Sequence, residues 1–523
     1  MVLGTSSHVG KSLLTTALCR IFAQEGHRVA PFKSQNMSLN SAATIEGLEI
    51  GRAQALQAEA AGQAASVHMN PILLKPCGDM SSQIVVRGRI WGKLTTSEYH
   101  QRRVEELLPI VQESYEALAS DNDIIVLEGA GSPAEINLKQ HDIVNMRMAE
   151  LADASCVLVG DIDRGGVFAS LLGTVALLEP AEQSRIKGFL INKFRGDREL
   201  LQPGVKMIEE RLRKPCLGVV PYISGLLLEE EDSVALPAMF AVPGGTAAWS
   251  PSDEPTRPLR IAVVALPSFS NFTDFDALGS EPSVSLRFSS DVALVANADV
   301  VILPGSKQTV DDLEWMRSTG LASSLIAYSR CGLLAGICGG MQMLGEEIFD
   351  PSGVEHAGSV RGLALLPLRT EMYAVKTTRL AAGTTATATL FGQPIPALPL
   401  AGYEIHVGAS HIFSGAHAFA TVQGRNEGQG HHLDGCISAD SRIFGTYLHG
   451  VFDEDEFRHT FIAAARAFHK LPPAKVLDAW KGKREQSFDR LADAVRTSVD
   501  LQRLFGWAAL SYRGSATSRD PLR

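Results

Sequence analysis

The segment Gly336-Ile337-Cys338-Gly339-Gly340-Met341-Gln342 sets a thiol where an apolar run, Gly332-Leu333-Leu334-Ala335, gives way to a helix-forming stretch. A strand handed to a helix through so tight a turn pushes the turn residue into the open. A thiol near a helix N-terminus is biased toward thiolate, its nucleophilic form. The flanking glycines tolerate a strained backbone and allow close approach of a substrate. A lone cysteine is more often a core thiol. Cys338 is not lone, because His449 and a phosphate-binding loop at the other end of the chain also need a role.

That loop is Gly4-Thr5-Ser6-Ser7-His8-Val9-Gly10-Lys11-Ser12, with five residues between the glycines where the common pattern has four. Small residues let successive N–H groups curl around a phosphate. Lys11 adds a point charge, and Ser12 offers a hydroxyl to Mg²⁺ at the start of a helix. ATP is the expected ligand, with Thr5, Gly10, Lys11 and Ser12 around its phosphates. Glu128 ends the run Asp123-Ile124-Ile125-Val126-Leu127, at the sheet edge where α/β proteins bind ligands; its expected role is Mg²⁺ coordination, direct or through water. Lys33 is a second cation near the phosphates. Asn192 is equally readable as a contact to the adenine edge or as a solvated loop residue.

These side chains need elements to hold them. Up to about residue 230, strand-like and helix-like segments alternate. Val2-Leu3 ends a short strand, and Lys11 to Ala23 reads as a helix with Leu13, Leu14, Leu18 and Phe22 on one face. Residues 50 to 67 read as another helix. The apolar runs at 123–127, 156–159, 188–191 and 217–220 are continuous rather than alternating, as in a parallel sheet covered on both faces. Residues 239–258 lack any apolar period and read as a linker. Alternation restarts at Arg260–Leu266 and Ala298–Leu303, and Arg442–Leu448 is a late strand ending at His449. From about Ala465 the chain is helical, and from Arg513 it looks disordered.

Length and composition agree. With 523 residues, 45% hydrophobic and 20% charged, the chain is an α/β protein of at least two domains. A net charge of −10 with no basic tract argues against a nucleic-acid or anionic-membrane partner. Seven scattered cysteines without zinc spacing indicate neither a disulfide framework nor a structural metal. With no signal-like or membrane-spanning run, a cytoplasmic protein is expected. The short first strand leaves open a start upstream of Met1.

With these residues assembled, the chain resembles the cobyric acid synthase family of glutamine-dependent corrinoid amidotransferases along essentially its whole length. The N-terminal part is similar to dethiobiotin synthetases, which carry the same five-spaced loop. Pro31–Ser41, Glu49–Gln54, Val126–Ser132, Asn145–Ala149 and Gly160–Phe168 resemble stretches of this synthase. The C-terminal part is similar to class I glutamine amidotransferases at Leu303–Lys307, the Cys338 elbow, Gly402–His406 and Gly445–Gly450.

The resemblance implies a P-loop synthetase domain over 1–238, a linker at 239–258, an amidotransferase domain over 259–464 and a helical tail over 465–523. It implies that Cys338 attacks the glutamine amide with His449 as base and acid, while N–H groups at Gly305 and Gly339 hold the oxyanion. Ammonia would then displace phosphate from an ATP-activated carboxylate of the corrinoid. The implied product is the b, d, e and g amidated corrinoid from adenosylcobyrinic acid a,c-diamide. Most class I glutaminases place a Glu two residues after the catalytic His; here that residue is Val451. What orients His449 is left open between Glu404, a backbone carbonyl and water. The sister enzyme amidating the a and c carboxylates is the nearest rival, and a partition-type ATPase a more distant one. Dimerisation, the corrin contacts, the order of amidation and the ammonia path are not legible.

Overall fold

The computed structural model describes residues 1–77, 81–95, 97–99, 103–228, 249, 257–424 and 430–512. Most of the expected linker and the tail from Arg513 lie outside the described residues. The chain divides into two compact units. The first comprises Met1–Ser38, Ile50–Asp232 and Arg484–Arg523; the second comprises Leu39–Glu49 and Ser233–Lys483.

In the first unit the continuous apolar runs become a parallel sheet. Val2–Gly4 pairs with Cys156–Asp161, which pairs with Ile186–Phe194, which pairs with Cys216–Pro221. Val29–Phe32 pairs in parallel with Ile124–Leu127, and a bridge from Glu128 to Val2 joins this pair to the rest. The strand leading into the phosphate loop is therefore central, with Glu128 at the carboxyl end of its neighbour. The helix Lys11–Gln24 buries Leu14, Leu18, Ile21 and Phe22, three and four residues apart. The stretch expected to be helical from 50 to 67 is helical over Arg52–Ala60; Gly62, at φ 69, turns the backbone out of the helix. The late helices Trp480–Ser498 and Leu501–Trp507 place Phe488, Leu491, Val495 and Phe505 in the same core as Leu14 and Phe22.

The second unit holds a six-stranded sheet. Val284–Ser289, Leu259–Val264, Val300–Leu303, Leu333–Ile337 and Ile443–Thr446 run parallel in that order, and Cys436–Ile437 adds an antiparallel edge. A second, mostly antiparallel sheet is built on the long strands Leu368–Thr385 and Pro399–Ile412. Helix Asp455–Phe468 starts well before the expected Ala465, because Phe457, Phe461, Ile462 and Ala465 already form its buried face. The fold class is thus the expected one: a parallel P-loop sheet followed by an α/β amidotransferase-like sheet.

Candidate active sites

Cys338 follows the strand Leu333–Ile337 directly and precedes the helix Gly339–Leu344. Its backbone sits at φ 51 and ψ −111, a strained conformation that swings the side chain away from the strand line. Close packing requires Gly340 and crowds Gly339. A Cβ at Gly340 would stand 2.1 Å from the Leu303 carbonyl oxygen, and one at Gly339 3.0 Å from the Ser306 nitrogen. The elbow therefore presses against the Gly305–Ser306 loop, at the carboxyl edge of the adjacent strand. Cys338 Sγ lies 3.6 Å from the Ile405 carbonyl oxygen.

His449 is buried, and Cys338 is close enough to act on the charge of its ring. Its Nδ1 donates to Asp274 Oδ2 at 2.7 Å, and the Gly450 N–H donates to Asp274 Oδ1 at 3.0 Å. With Nδ1 engaged, Nε2 is the nitrogen left for the thiol. The ring stacks on Tyr403 at an interplanar angle of 16°, while the two backbones exchange hydrogen bonds of 2.8 and 3.2 Å. A Cβ on Gly305 would meet the imidazole Cε1 at 3.1 Å, so the Gly305 loop lies against the ring. Burial alone would lower the pKa of His449; the charges of Asp274 and Cys338 outweigh it and hold the ring at about 10. This arrangement can hold a protonated imidazole beside the thiol.

Asp274 answers the question of what orients His449 in the absence of a Glu at Val451. Glu404 does not do so. It is bound to Arg379 and, at 3.2 Å, to His432, which hold its carboxyl down at about 2 despite burial. Along an extended strand its side chain leaves from the face opposite Tyr403, and Tyr403 is the residue stacked on His449. Asp274 was missed because Asn271-Phe272-Thr273-Asp274 has no strand or helix period. It is instead a 3-10 turn, Phe272–Phe275, following the strand Leu259–Val264. Acidic residues shortly beyond a parallel strand were the available signal.

Beside the elbow lies a cavity of about 200 Å³ lined by Arg379, Glu404, His406, Ser410, His432, Asp434 and Tyr447, among others. Gln342 reaches from the elbow helix to the Tyr447 hydroxyl and the Val407 carbonyl, both at 3.1 Å. Burial pushes Asp434 up to about 6 and His406 down to about 4. The cavity can take a small polar molecule with charged ends.

In the first unit, Gly10 at φ 97 closes the loop into the helix Lys11–Gln24. Lys11 Nζ donates to the carbonyls of Ser6 at 3.0 Å and Gly131 at 3.1 Å, inside the loop's curl. Glu128 is buried and draws three partners together. Its Oε1 accepts from Lys33 Nζ at 3.0 Å and Ser12 Oγ at 2.9 Å, and its Oε2 accepts from Gln57 at 2.6 Å. Lys33, Ser12 and Glu128 thus converge, and Gln57 joins them. Thr5 follows the central strand, donating its N–H to Val159. Asn192 stands under the loop, donating to the Val9 carbonyl at 2.8 Å, so it shapes the turn at Gly10. A larger hollow of about 640 Å³ is lined by Ser155, Lys187 and their neighbours. It lies at the amino ends of the strands, away from the phosphate loop, where α/β folds do not bind their ligands.

Residues 260–457 match the family described as CobB/CobQ-like glutamine amidotransferase domain, and residues 1–234 match the CobQ/CobB/MinD/ParA nucleotide binding domain. A cobyric acid synthase of Thermoanaerobacter sp. (strain X514) is 46% identical over 508 residues, 97% of either chain. One from Clostridium botulinum (strain 657 / Type Ba4) is 46% identical over 506 residues, 97% of this chain and 98% of that one. A solved glutamine amidotransferase aligns with 40% of this chain and 98% of its own at 14% identity, with a TM-score of 0.29. Two domain matches in this order, and relatives alike from end to end, carry one conclusion: the chain belongs to the cobyric acid synthase family.

Proposed function

We propose that the protein uses ATP and glutamine to amidate the b, d, e and g carboxylates of adenosylcobyrinic acid a,c-diamide, giving adenosylcobyric acid. The observation that carries this reading is the pairing of Cys338 and His449, the latter oriented by Asp274, in a chain that also bears a phosphate loop. Relatives named cobyric acid synthase along 97% of the chain favour this product over that of the sister enzyme. The reading assigns nitrogen release to the second unit and carboxylate activation to the first, with small molecules as the only substrates. No helix among the described residues is long and apolar enough to cross a membrane. A cytoplasmic enzyme that binds no nucleic acid remains part of the proposal; homodimerisation is left open.

Cys338 thiolate adds to the side-chain amide carbon of glutamine, and the oxyanion is met by N–H groups of Gly339 and the Gly305 loop. His449 gives its Nε2 proton to the departing nitrogen, and ammonia leaves. Water then adds to the thioester, His449 takes its proton, and glutamate is released with the thiolate restored. Asp274 keeps the ring in the tautomer both steps need.

In the first unit, Lys11 and Lys33 neutralise the phosphates during transfer to the corrinoid carboxylate. Ammonia displaces phosphate from the resulting acyl phosphate. Ser12 Oγ and Glu128 Oε1 are 2.9 Å apart. A hydroxyl and a carboxylate are the hard oxygen donors that Mg²⁺ takes, so this pair would hold that ion. Bound there, Mg²⁺ would offset phosphoryl charge. Incubation with glutamine, ATP-Mg²⁺ and the a,c-diamide, followed by mass spectrometry, tests the reading. A product that gains four amides supports it; an a,c-diamide recovered unchanged, with unamidated cobyrinic acid converted to the a,c-diamide in a parallel incubation, refutes it.

A further inference from the structure

The stretch Leu39–Glu49 belongs to the second unit although the chain on either side of it belongs to the first. It is an arm, and it is firmly seated. Glu49, 1% exposed, accepts from Ser41 Oγ at 2.7 Å and from Lys376 Nζ at 2.6 Å. Ala43 packs against Tyr403 and Ile405. At its start, the arm and the turn before Asp274 exchange hydrogen bonds. The Phe272 N–H donates to Asn40 Oδ1, and the Ser41 N–H donates to Asn271 Oδ1, both at 3.1 Å.

Asn271 is buried, with its backbone in the left-handed region at φ 55. Only an acceptor can face the Ser41 N–H, so the arm fixes the amide oxygen on its own side and turns the NH₂ toward His449. That NH₂ lies 3.3 Å from Nδ1 and 3.4 Å from Nε2. Nδ1 is already committed to Asp274, and Tyr403 stacks on the ring. Turned over, the amide would set its oxygen against the imidazole. The oxygen would then compete for the Nε2 proton that the leaving ammonia requires.

We propose that Asn271 is a positioning residue for His449, and that the arm, through Asn40 and Ser41, sets which end of its amide faces the ring. This rests on the reading of Cys338 and His449 as the glutaminase pair. Among the described residues, the charged and titratable groups around the ring are Asp274 from the 3-10 turn, Cys338 from the elbow, and Tyr403 and His406 from the strand Pro399–Ile412. Asn271 adds a dipole to these, and the arm determines its sign.

The test uses the full chain. Asn271→Leu keeps the bulk and removes the dipole. Asn271→Asp keeps an acceptor for Ser41 and puts charge against the ring. Asn40→Ala loosens the arm without touching thiol or imidazole. Glutamine hydrolysis is followed against pH, with ammonia-driven amidation in the same preparations as the control for folding. Asn271→Leu is expected to lower kcat about 10- to 100-fold with KM within about twofold, and Asn40→Ala to lower it about 3- to 10-fold. Asn271→Asp is expected to move the alkaline limb of the pH profile upward by about one unit or more. Unchanged kcat in Asn271→Leu and Asn40→Ala, or an unmoved limb in Asn271→Asp, overturns the proposal. Cys338→Ala, assayed alongside, separates the two failures. If it still hydrolyses glutamine, the underlying reading is lost; if it is dead while Asn271→Leu is normal, only the positioning role is lost.

Discussion

Replacing Asp274 with Asn removes the charge that holds His449 while keeping the size of the side chain. Asp274 accepts two N–H groups, from the ring at 2.7 Å and from Gly450 at 3.0 Å. An asparagine has one oxygen for these two donors, so its NH₂ must face one of them. If it faces the ring, Nδ1 becomes the acceptor and the proton moves to Nε2, where it blocks uptake from the thiol. The size of the loss follows from the ring's position at about 10 against the ordinary 6.5. At about 1.4 kcal/mol per pH unit, that is roughly 5 kcal/mol in favour of the protonated ring, shared between Asp274 and Cys338. Half of it, about 2–3 kcal/mol, lowers the ion-paired population ~30- to 150-fold. With the tautomer penalty added, kcat/KM for glutamine hydrolysis should fall about 10²- to 10⁴-fold. Glutamate release gives the rate, and its pH profile gives the sign. Loss of the ring proton marks the alkaline limb, which should move down from about 10. Because the folded-state pKa is raised, the stabilisation is complete below the ordinary 6.5 and is lost as pH climbs through about 10. The stability gap between the two proteins should therefore be widest near pH ~6 and close toward ~10. Hydrolysis within about threefold of wild type, with the limb unmoved, would refute the reasoning.

Other perturbations separate the two chemistries. Cys338→Ala should abolish glutamine-driven amidation and spare amidation driven by added ammonium salt; retained glutamine use would remove Cys338 from the mechanism. Lys11→Ala should abolish both, since the phosphate loop serves either nitrogen source, and loss of only the glutamine-driven reaction would contradict that. Arg379→Met leaves Glu404, whose side chain is 2% exposed, with His432 as its remaining basic partner. A buried charge stripped of its main partner costs about 3–5 kcal/mol, so a clear drop in the thermal midpoint is expected. An unchanged midpoint would show that the Arg379–Glu404 pair contributes little.

The legible parts of the molecule were those where one physical constraint dominates the sequence. Buried parallel strands must be apolar on both faces, and the runs at 124–127, 156–159 and 217–220 showed it. A phosphate loop needs small residues and a cation, and Gly4 to Ser12 showed both. Asp274 and Asn271 were not legible, because their roles depend on a 3-10 turn and on a partner some 175 residues away. The arm was hidden for a similar reason. Leu39–Glu49 is short, has no period of its own, and is defined by contacts with Lys376, Tyr403 and Asn271 from distant segments. Nor does a sequence read in contiguous blocks show that the helix carrying Phe488 and Val495 returns to the core begun by Leu14 and Phe22.

Val451 shows why the orienting carboxylate stands where it does. Its side chain is 1% exposed and sits in the apolar core with Phe275, Phe452 and Phe461. A carboxylate there would be buried among rings, and an unpaired buried charge is costly. Asp274 reaches the imidazole instead from the turn that follows the strand Leu259–Val264, separated from Ile443–Thr446 by two strands of the sheet, and its second oxygen is satisfied by the Gly450 N–H, the next residue after His449. The charge is thus balanced by the ring and by the backbone that carries it. The 3-10 turn that presents Asp274 begins beside Asn271, and its Phe272 N–H is held by Asn40. Moving the carboxylate off the histidine's own segment ties its position to a turn that the arm also grips. That link would be absent with a Glu in place of Val451, because such a carboxylate would travel with the histidine's own strand.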